Sequence, residues 1–495
     1  MPANPIRPET RTWRNWAGTV VHPVVQTAEV RNRAGHRFSI EAYNNTTSAI
    51  QRLIGLTLHT RTQLRATGSG WSFSAIAATD GVVLDARNLD YRTTLQAGEL
   101  ESPANHPPGS MVLAQGGSTI HQLDTFLAGI GKSLPVTGSS NGSTIAGAIS
   151  TGLHGSVPTL GAMQDQVRAL HLVTGPNRHV WVEPASNPIV CPAFAERLGA
   201  ELIRDDAIFD AARVSLGSFG IIHGVVLEVV DLFWLRASRH RVPFGPGLRR
   251  LIDTLDFTHL GTATGCPPHH FEVLGAPLEF DEALVTVMEK HTDRPRDSLG
   301  AEANWELKYS RCAFEVSEAM SASPKASLFD IAEPYDGLGG LQGSLFRNTT
   351  ARGAAVSSAM GLPLGRVGEA LDATHTLLAE GEPGTLWQLR YVAPSTATLA
   401  FTHHAPRTCV FEVLGPGSPG TMELLRKIWA RLEDLKIPHT FHWGGLHELN
   451  RATVREAYGA DRVESWLRAR RALLPSGKLR ALFSNEMLRN IGLAD

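Results

Sequence analysis

Between Ser118 and Gly131 the apolar residues Ile120, Leu123, Leu127 and Ile130 recur every three or four positions. That period lines them along one face of a helix. Thr119 and Gln122 have capping-box spacing and Gly131 stands at the stop, so the pattern predicts a packing helix over 118–130. From Trp16 to about Val230, short β-rich runs alternate with helical patterns and Gly-rich turns, which points to α/β or α+β architecture. From Asp231 to about Leu435 the pattern changes. Strand-like runs at 271–274, 387–392 and 409–414 mix with helix-like runs at 282–291 and 422–435, and predict an antiparallel sheet with covering helices. The last sixty or so residues return to a Gly- and Trp-containing turn, then a helix, then Phe483-Ser484-Asn485.

Phe-Glu-Val-Leu-Gly occurs twice in the middle region, ending at Gly275 and Gly415. Each copy is followed by a loop and a helix-like segment. Two similar halves would give this pattern, and so would chance in a five-residue match.

The chain has 495 residues, enough for two or three structural units and a sizeable core. Lys and Arg total 46 against 48 for Asp and Glu, a net charge of −2, so there is no basic surplus for nucleic acid or an anionic membrane. Hydrophobic content of 42% with 19% charged residues is ordinary globular composition and excludes disordered and fibrous classes. Cys191, Cys266, Cys312 and Cys409 form no CxxC pair, and free thiols are the expectation. Residues 1–16 carry Arg7, Arg11 and Arg14 without an apolar core, unlike a secretory signal. The most apolar stretch, 219–235, is interrupted by His223, Glu228 and Asp231. These features read as a soluble cytoplasmic protein.

Three segments carry candidate chemistry. In Leu64-Arg65-Ala66-Thr67-Gly68-Ser69-Gly70-Trp71-Ser72, a short strand enters a turn whose backbone N–H groups can face a pyrophosphate. An ordinary tight turn has the same composition, and Phe73 at the third glycine position breaks the GxGxxG pattern. Residues 137–155 contain almost nothing larger than Ile before His154, so a flat ligand can lie on their backbone. Within them Gly138-Ser139-Ser140-Asn141-Gly142 also satisfies the GxSxG nucleophile pattern, which keeps a serine hydrolase using Ser140 as an alternative. In Ser215-Leu216-Gly217-Ser218-Phe219-Gly220-Ile221-Ile222, glycines precede a β-branched strand; alone this is a turn and a core strand. Gly131-Lys132-Ser133 lacks the upstream glycine of a phosphate loop. His269-His270 and His403-His404 have no carboxylate or cysteine at ligand spacing, so no metal is expected.

In this order the segments resemble the FAD-binding domain of the vanillyl-alcohol-oxidase type, in its aldonolactone-oxidase and alditol-oxidase branch. Asn15-Trp16-Ala17-Gly18 looks like that branch's N-terminal signature. Thr144 through Gly155 and Ser215 through Ile222 look like two of its internal segments. His442-Trp443-Gly444, Ser476-Gly477 and Phe483-Ser484-Asn485 look like its closing motifs. The resemblance implies an α+β fold: a two-part FAD-binding domain over 1–230 and 436–495, with an inserted antiparallel-sheet cap over 231–435. It places FAD against Thr67, Gly68, Ser69, Gly70, Trp71, Ser72, Ser143, Thr144, Gly147, Gly152, His154, Gly155, Gly220, Ile222 and Asn485. The cap strand Gln388-Leu389-Arg390 resembles the family's Glu-x-Arg and should face the flavin, with both polar residues on one side by period-2 geometry.

Three departures follow. Trp71 stands where many members have a flavin-linked histidine, so FAD should be non-covalent. Gln388 replaces the glutamate, and Gly445 the lysine that usually follows His-Trp-Gly. The implied activity is FAD-dependent oxidation of a C–OH (or C–H/N–H) bond of a small organic substrate, with oxygen or another electron acceptor; a flavin enzyme of non-redox function is a further alternative. Arg390 is the candidate for stabilising negative charge and Gln388 for orienting substrate. His442 is the candidate base because an imidazole titrates near neutrality, with Glu272 or Glu412 as substitutes.

Overall fold

The computed structural model describes residues 6–7, 12–33, 38–107, 109–259, 267–295, 312–347 and 355–494. Cys266 and most of residues 1–11 lie outside the described residues. The helix Ile120–Gly129 forms where its period places it. The Thr119 hydroxyl accepts the Gln122 N–H and the Gln122 side chain accepts the Thr119 N–H, a reciprocal cap. Ile120, Leu123 and Leu127 are buried, while Ile130 falls past the last turn and is exposed.

Two sheets build the N-terminal half. In the first, the strands Gln26–Glu29 and Leu64–Thr67 flank Val82–Asp85 in parallel. In the second the order runs Glu201–Arg204, Arg178–Glu183, Val167–Gly175, Ile221–Glu228, Met111–Gln115, Arg92–Thr94. Both faces of its central strands are buried, which is why 219–228 reads as a nearly continuous apolar run. His223 inside that run is held by Thr46, Thr47 and Gln115 side chains, a satisfied core histidine.

An eight-stranded antiparallel sheet fills the second half. Its order is Tyr335–Leu341, Trp234–Pro243, Glu282–His291, His270–Gly275, Leu386–Val392, Thr408–Pro416, Ala355–Pro363, Thr440–Phe441. The segment 282–291, expected to be helical, is a strand. It carries Val285, Thr286 and Val287 in a row and is paired on both sides, so ladder hydrogen bonds override its mixed pattern. The first Phe-Glu-Val-Leu-Gly copy is therefore followed by a strand and the second by the helix Pro419–Asp434. The two copies lie in the strands on either side of Leu386–Val392.

Alternation in Leu386–Val392 decides what each face does. Trp387, Leu389 and Tyr391 pack in the core beneath the helices Pro246–Thr254, Val367–Leu378 and Pro419–Asp434. Gln388 and Arg390 point to the other face, which meets the N-terminal half. Ser156 joins the halves: its carbonyl accepts the Phe271 N–H and its hydroxyl accepts the Tyr391 N–H. The Ala393 N–H donates to Leu160.

The C-terminal helices pack back on the first half, with Trp466 donating to the Val214 carbonyl and tilted against the Phe219 ring at 4.7 Å. Asn485 caps the helix Glu486–Asn490 through Oδ1 and donates its amide to the carbonyls of Ala75, Ile76 and Ala78. It is fully committed to holding the segment after residue 72 and does not reach the cavity described below, contrary to its expected place against FAD. Asn485→Ala should lower the unfolding free energy by about 2–4 kcal/mol, since it removes a helix cap and leaves buried carbonyls unpaired. Denaturant unfolding of the two proteins checks this.

Candidate functional site

A cavity of about 230 Å³ lies between the halves, and three turns build its walls. The strand Leu64–Thr67 runs into the turn 68–72. Among the described residues, the backbone N–H groups of Gly68, Ser69, Gly70, Trp71 and Ser72 have no protein acceptor. All five residues are half-buried, so these donors need partners, and a run of them attracts an anion. The turn is pinned from behind: Trp16 N–H donates to the Gly70 carbonyl at 2.7 Å, and Ser69 Oγ to the Gly142 carbonyl at 2.6 Å. A Cβ at Gly68 would fall 1.9 Å from Thr144 Oγ1, so only glycine lets the two walls come this close.

The second wall is the small-residue segment, of which Ser139, Ser140, Ser143, Thr144, Gly147 and His154 line the cavity, with Gly220 and Ile222 beside them. Gly152 and Gly155 do not. Gly152 closes the helix Ile145–Thr151 in the left-handed region (φ 84°), and a Cβ there would press on Phe401. Gly155 accepts the His154 Nδ1–H on its carbonyl.

The third wall comes from the large sheet and the His442-Trp443-Gly444 turn, which is clamped between the halves. Phe73 N–H donates to the Gly444 carbonyl, Ser74 Oγ to that of Trp443, and His442 N–H to that of Ala359.

Arg390 lines the cavity with its side chain only 7% exposed. It pairs with Glu412 and donates to Ser139 Oγ at 2.5 Å, while the other Glu412 oxygen accepts the Ser357 hydroxyl at 2.7 Å. Gln388 shares Arg390's face yet does not reach the cavity. It is buried one position deeper, donating to Glu272 at 3.2 Å. Period 2 sets the face, but the opposing wall covers only part of it. Burial raises the affinity of Glu272 for a proton, but His270, Arg239 and Arg390 outweigh it and hold the carboxyl below its ordinary range.

His442 is not suited to be a base near neutral pH. Burial, then Arg390 and His447, push its pKa down to about 3. Its Nδ1 accepts the Gly444 N–H, which leaves the proton on Nε2 and makes the ring a hydrogen-bond donor toward the cavity. His154, 6.0 Å away between ring centroids, is likewise held neutral by burial, Arg390 and His442. Donation from its Nδ1 to Gly155 leaves the Nε2 lone pair free.

The Ser140 segment forms no nucleophile elbow: the strand Lys132–Ser133 ends well before it, the helix Ile145–Thr151 begins after it, and Ser140 has no histidine partner among the described residues. Among the described residues no group of three or more metal-ligating side chains occurs, and no helix is long and apolar enough to cross a membrane.

Several lining residues carried no signal in the sequence. Arg65 is buried inside a strand and gives its terminal nitrogens to the carbonyls of Gly217, Phe483, Ile76 and Leu216; burial, then Arg470, lowers its pKa to about 9. Ser357 and Phe314 come from segments without a motif, and Phe314 meets Phe73 at 5.4 Å across the two halves.

Part of the chain that builds these walls is similar to known proteins. Residues 40–183 match the FAD binding domain family. The chain is 28% identical over 242 residues to L-gulono-1,4-lactone dehydrogenase of Mycobacterium tuberculosis, covering 48% of this chain and 46% of that protein. It is 29% identical over 188 residues to D-arabinono-1,4-lactone oxidase of Saccharomyces cerevisiae, covering 38% and 31%. The match thus spans less than half the length of these curated relatives. Over its whole length the fold is similar to that of cholesterol oxidase from B. sterolicum, with a TM-score of 0.71, 12% identity and 99% of both chains covered. The fold is the α+β FAD-binding fold of the vanillyl-alcohol-oxidase type, with an antiparallel sheet in its second part.

Burial of these histidines predicts a loss of stability in acid. His223, His269 and His442 are held at about 3, and His404 and His447 at about 4, chiefly by burial. Their folded values lie below the unfolded value of about 6.5, so below it the unfolded chain binds more protons than the folded one. Stability is fully present above about pH 6.5 and should fall steadily toward pH 4. Melting temperature against pH, with His442→Gln flattening part of the slope, measures it.

Proposed function

We propose that the protein is an FAD-dependent oxidoreductase that oxidises a C–OH bond of a small organic substrate. The observation that carries this reading is the run of five unpaired N–H groups at 68–72, facing a small-residue wall with the Arg390–Glu412 pair at the cavity's other side. Residues 1–230 and 436–495 hold the cofactor and 231–435 supply the substrate wall.

The residues fit FAD. The N–H groups of 68–72 are the natural partners of its pyrophosphate, and Ser143, Thr144, Gly147, Gly220 and Ile222 offer no bulk against a planar ring. Trp71, packed on Trp16 at 5.3 Å, has no imidazole nitrogen to form a covalent link, which supports non-covalent binding. When bound, FAD supplies an acceptor for a hydride. The protein's part is then to hold the substrate hydroxyl, accept its proton and balance charge. Glu412 is the only carboxylate lining the cavity among the described residues, and its oxygens retain lone pairs beyond those used by Arg390 and Ser357. We assign it the proton. Arg390 and the Nε2–H of His442 stabilise negative charge as it develops. Gln388 orders Glu272 behind Arg390 and acts as a positioning residue.

Visible flavin absorption in the purified protein tests the reading, followed by flavin reduction with a panel spanning the lactones named by the relatives and simple uncharged alcohols. Absence of flavin bands after incubation with FAD would overturn it. Acid precipitation should leave the flavin in the supernatant; flavin in the pellet would require a covalent attachment residue. Arg390→Ala should slow flavin reduction by about 10²–10³, as loss of one preorganised charge donor does, with flavin content unchanged. Stopped-flow absorbance with the best substrate of the panel measures both.

A further inference from the structure

We propose that Glu412 confines this site to uncharged substrates by neutralising Arg390; the inference rests on the reading of the cavity as the substrate site. Three ionised residues line the cavity among the described residues: Arg65, Arg390 and Glu412. Arg65 is committed to four main-chain carbonyls. The two histidines that line it, His154 and His442, are neutral, for the reasons given above. Any charge discrimination therefore falls to Arg390 and Glu412.

Arg390 alone, desolvated and with a planar fork of donors, would be a strong carboxylate site. Glu412 already pairs with one terminal nitrogen of that fork through one of its oxygens. Its strand pairs with that of Arg390, and Gln388 is the cross-strand neighbour of Glu412, so the carboxylate sits one diagonal step from the guanidinium. Ser357 fixes the second carboxylate oxygen, and Ser139 takes the other terminal nitrogen of Arg390. Behind the pair Glu272 faces Arg390 in register, a second compensating carboxylate. An anionic group entering here meets a cation that is already neutralised and a carboxylate that repels it. A neutral hydroxyl meets lone pairs on Glu412 that it can donate to. The apolar lining, with Phe73, Leu153, Phe314 and Ala359, offers no further charge to bind.

The test uses acetate, with acetamide as its uncharged counterpart, titrated calorimetrically into the purified full-length protein incubated with FAD. Wild type should bind neither measurably. Glu412→Gln keeps the shape and removes the charge, and should bind acetate at least about tenfold more tightly than wild type, with no gain for acetamide. Should Glu412→Gln not fold, Glu412→Ala decides: acetate fills the space beside Arg390 and raises its melting temperature above that in chloride. Arg390→Ala combined with Glu412→Ala must lose either gain. Equal acetate binding by wild type, no gain in a single variant that folds, or a gain that persists in the double variant overturns the proposal. Failure of the flavin reading is seen separately as a protein without flavin bands, because the acetate titration reports the ion pair with or without cofactor.

Discussion

A guanidinium with 7% of its side chain exposed needs partners for its charge and its donors, and much of the cavity's construction follows from how Arg390 meets that need. The anion comes from the neighbouring strand, its second oxygen is held by a serine two strands away, and the remaining terminal nitrogen reaches across to Ser139 in the other half. Glu272, Gln388, His270 and Arg239 extend the alternation of charge along the same sheet face, so that Arg390 lies between two carboxylates. This buried row is what the second half presents to the first. Burial first, and then Arg390 of this row, depresses His154 and His442, so neither is suited to be a base at neutral pH.

The first half answers with backbone. Its turn at 68–72 leaves N–H groups unpaired, a costly arrangement unless something else pays attention to them, and the surrounding scaffold shows how such a turn is kept open. Arg65, Arg470 and Asn485 give their donors to loop carbonyls, drawing together segments near residues 65, 217 and 480. Side-chain donors thus satisfy the carbonyls of the loops while the N–H groups of the turn remain for a ligand. The C-terminal motifs are structural in this sense: the Phe483-Ser484-Asn485 segment and the His442-Trp443-Gly444 turn hold the cradle in shape from behind and from above.

Residues 40–183 match the FAD binding domain family. On the wall built from the large sheet Gln388 carries an amide, Gly445 carries no side chain, and among the described residues the one carboxylate lining the cavity is Glu412.

The sequence by itself determined the strand and turn at 64–72 and the helix after Thr119, because these depend on local period, capping and glycine positions. The α+β fold, FAD and the place of Arg390 came as what the resemblance of its ordered motifs implies, and alternation along the strand added only that Gln388 shares the face of Arg390. What only the tertiary structure decided depends on partners distant in the chain. Residues 282–291 became a strand because two other strands flank them. Gln388 was withdrawn from the cavity because the opposing wall covers it, and Asn485 was spent on loop carbonyls some 400 residues away. His442 lost its basicity to burial and to Arg390, and Glu412 gained its place through cross-strand pairing. Burial and pairing are properties of what surrounds a residue, and the order of residues along the chain does not carry them.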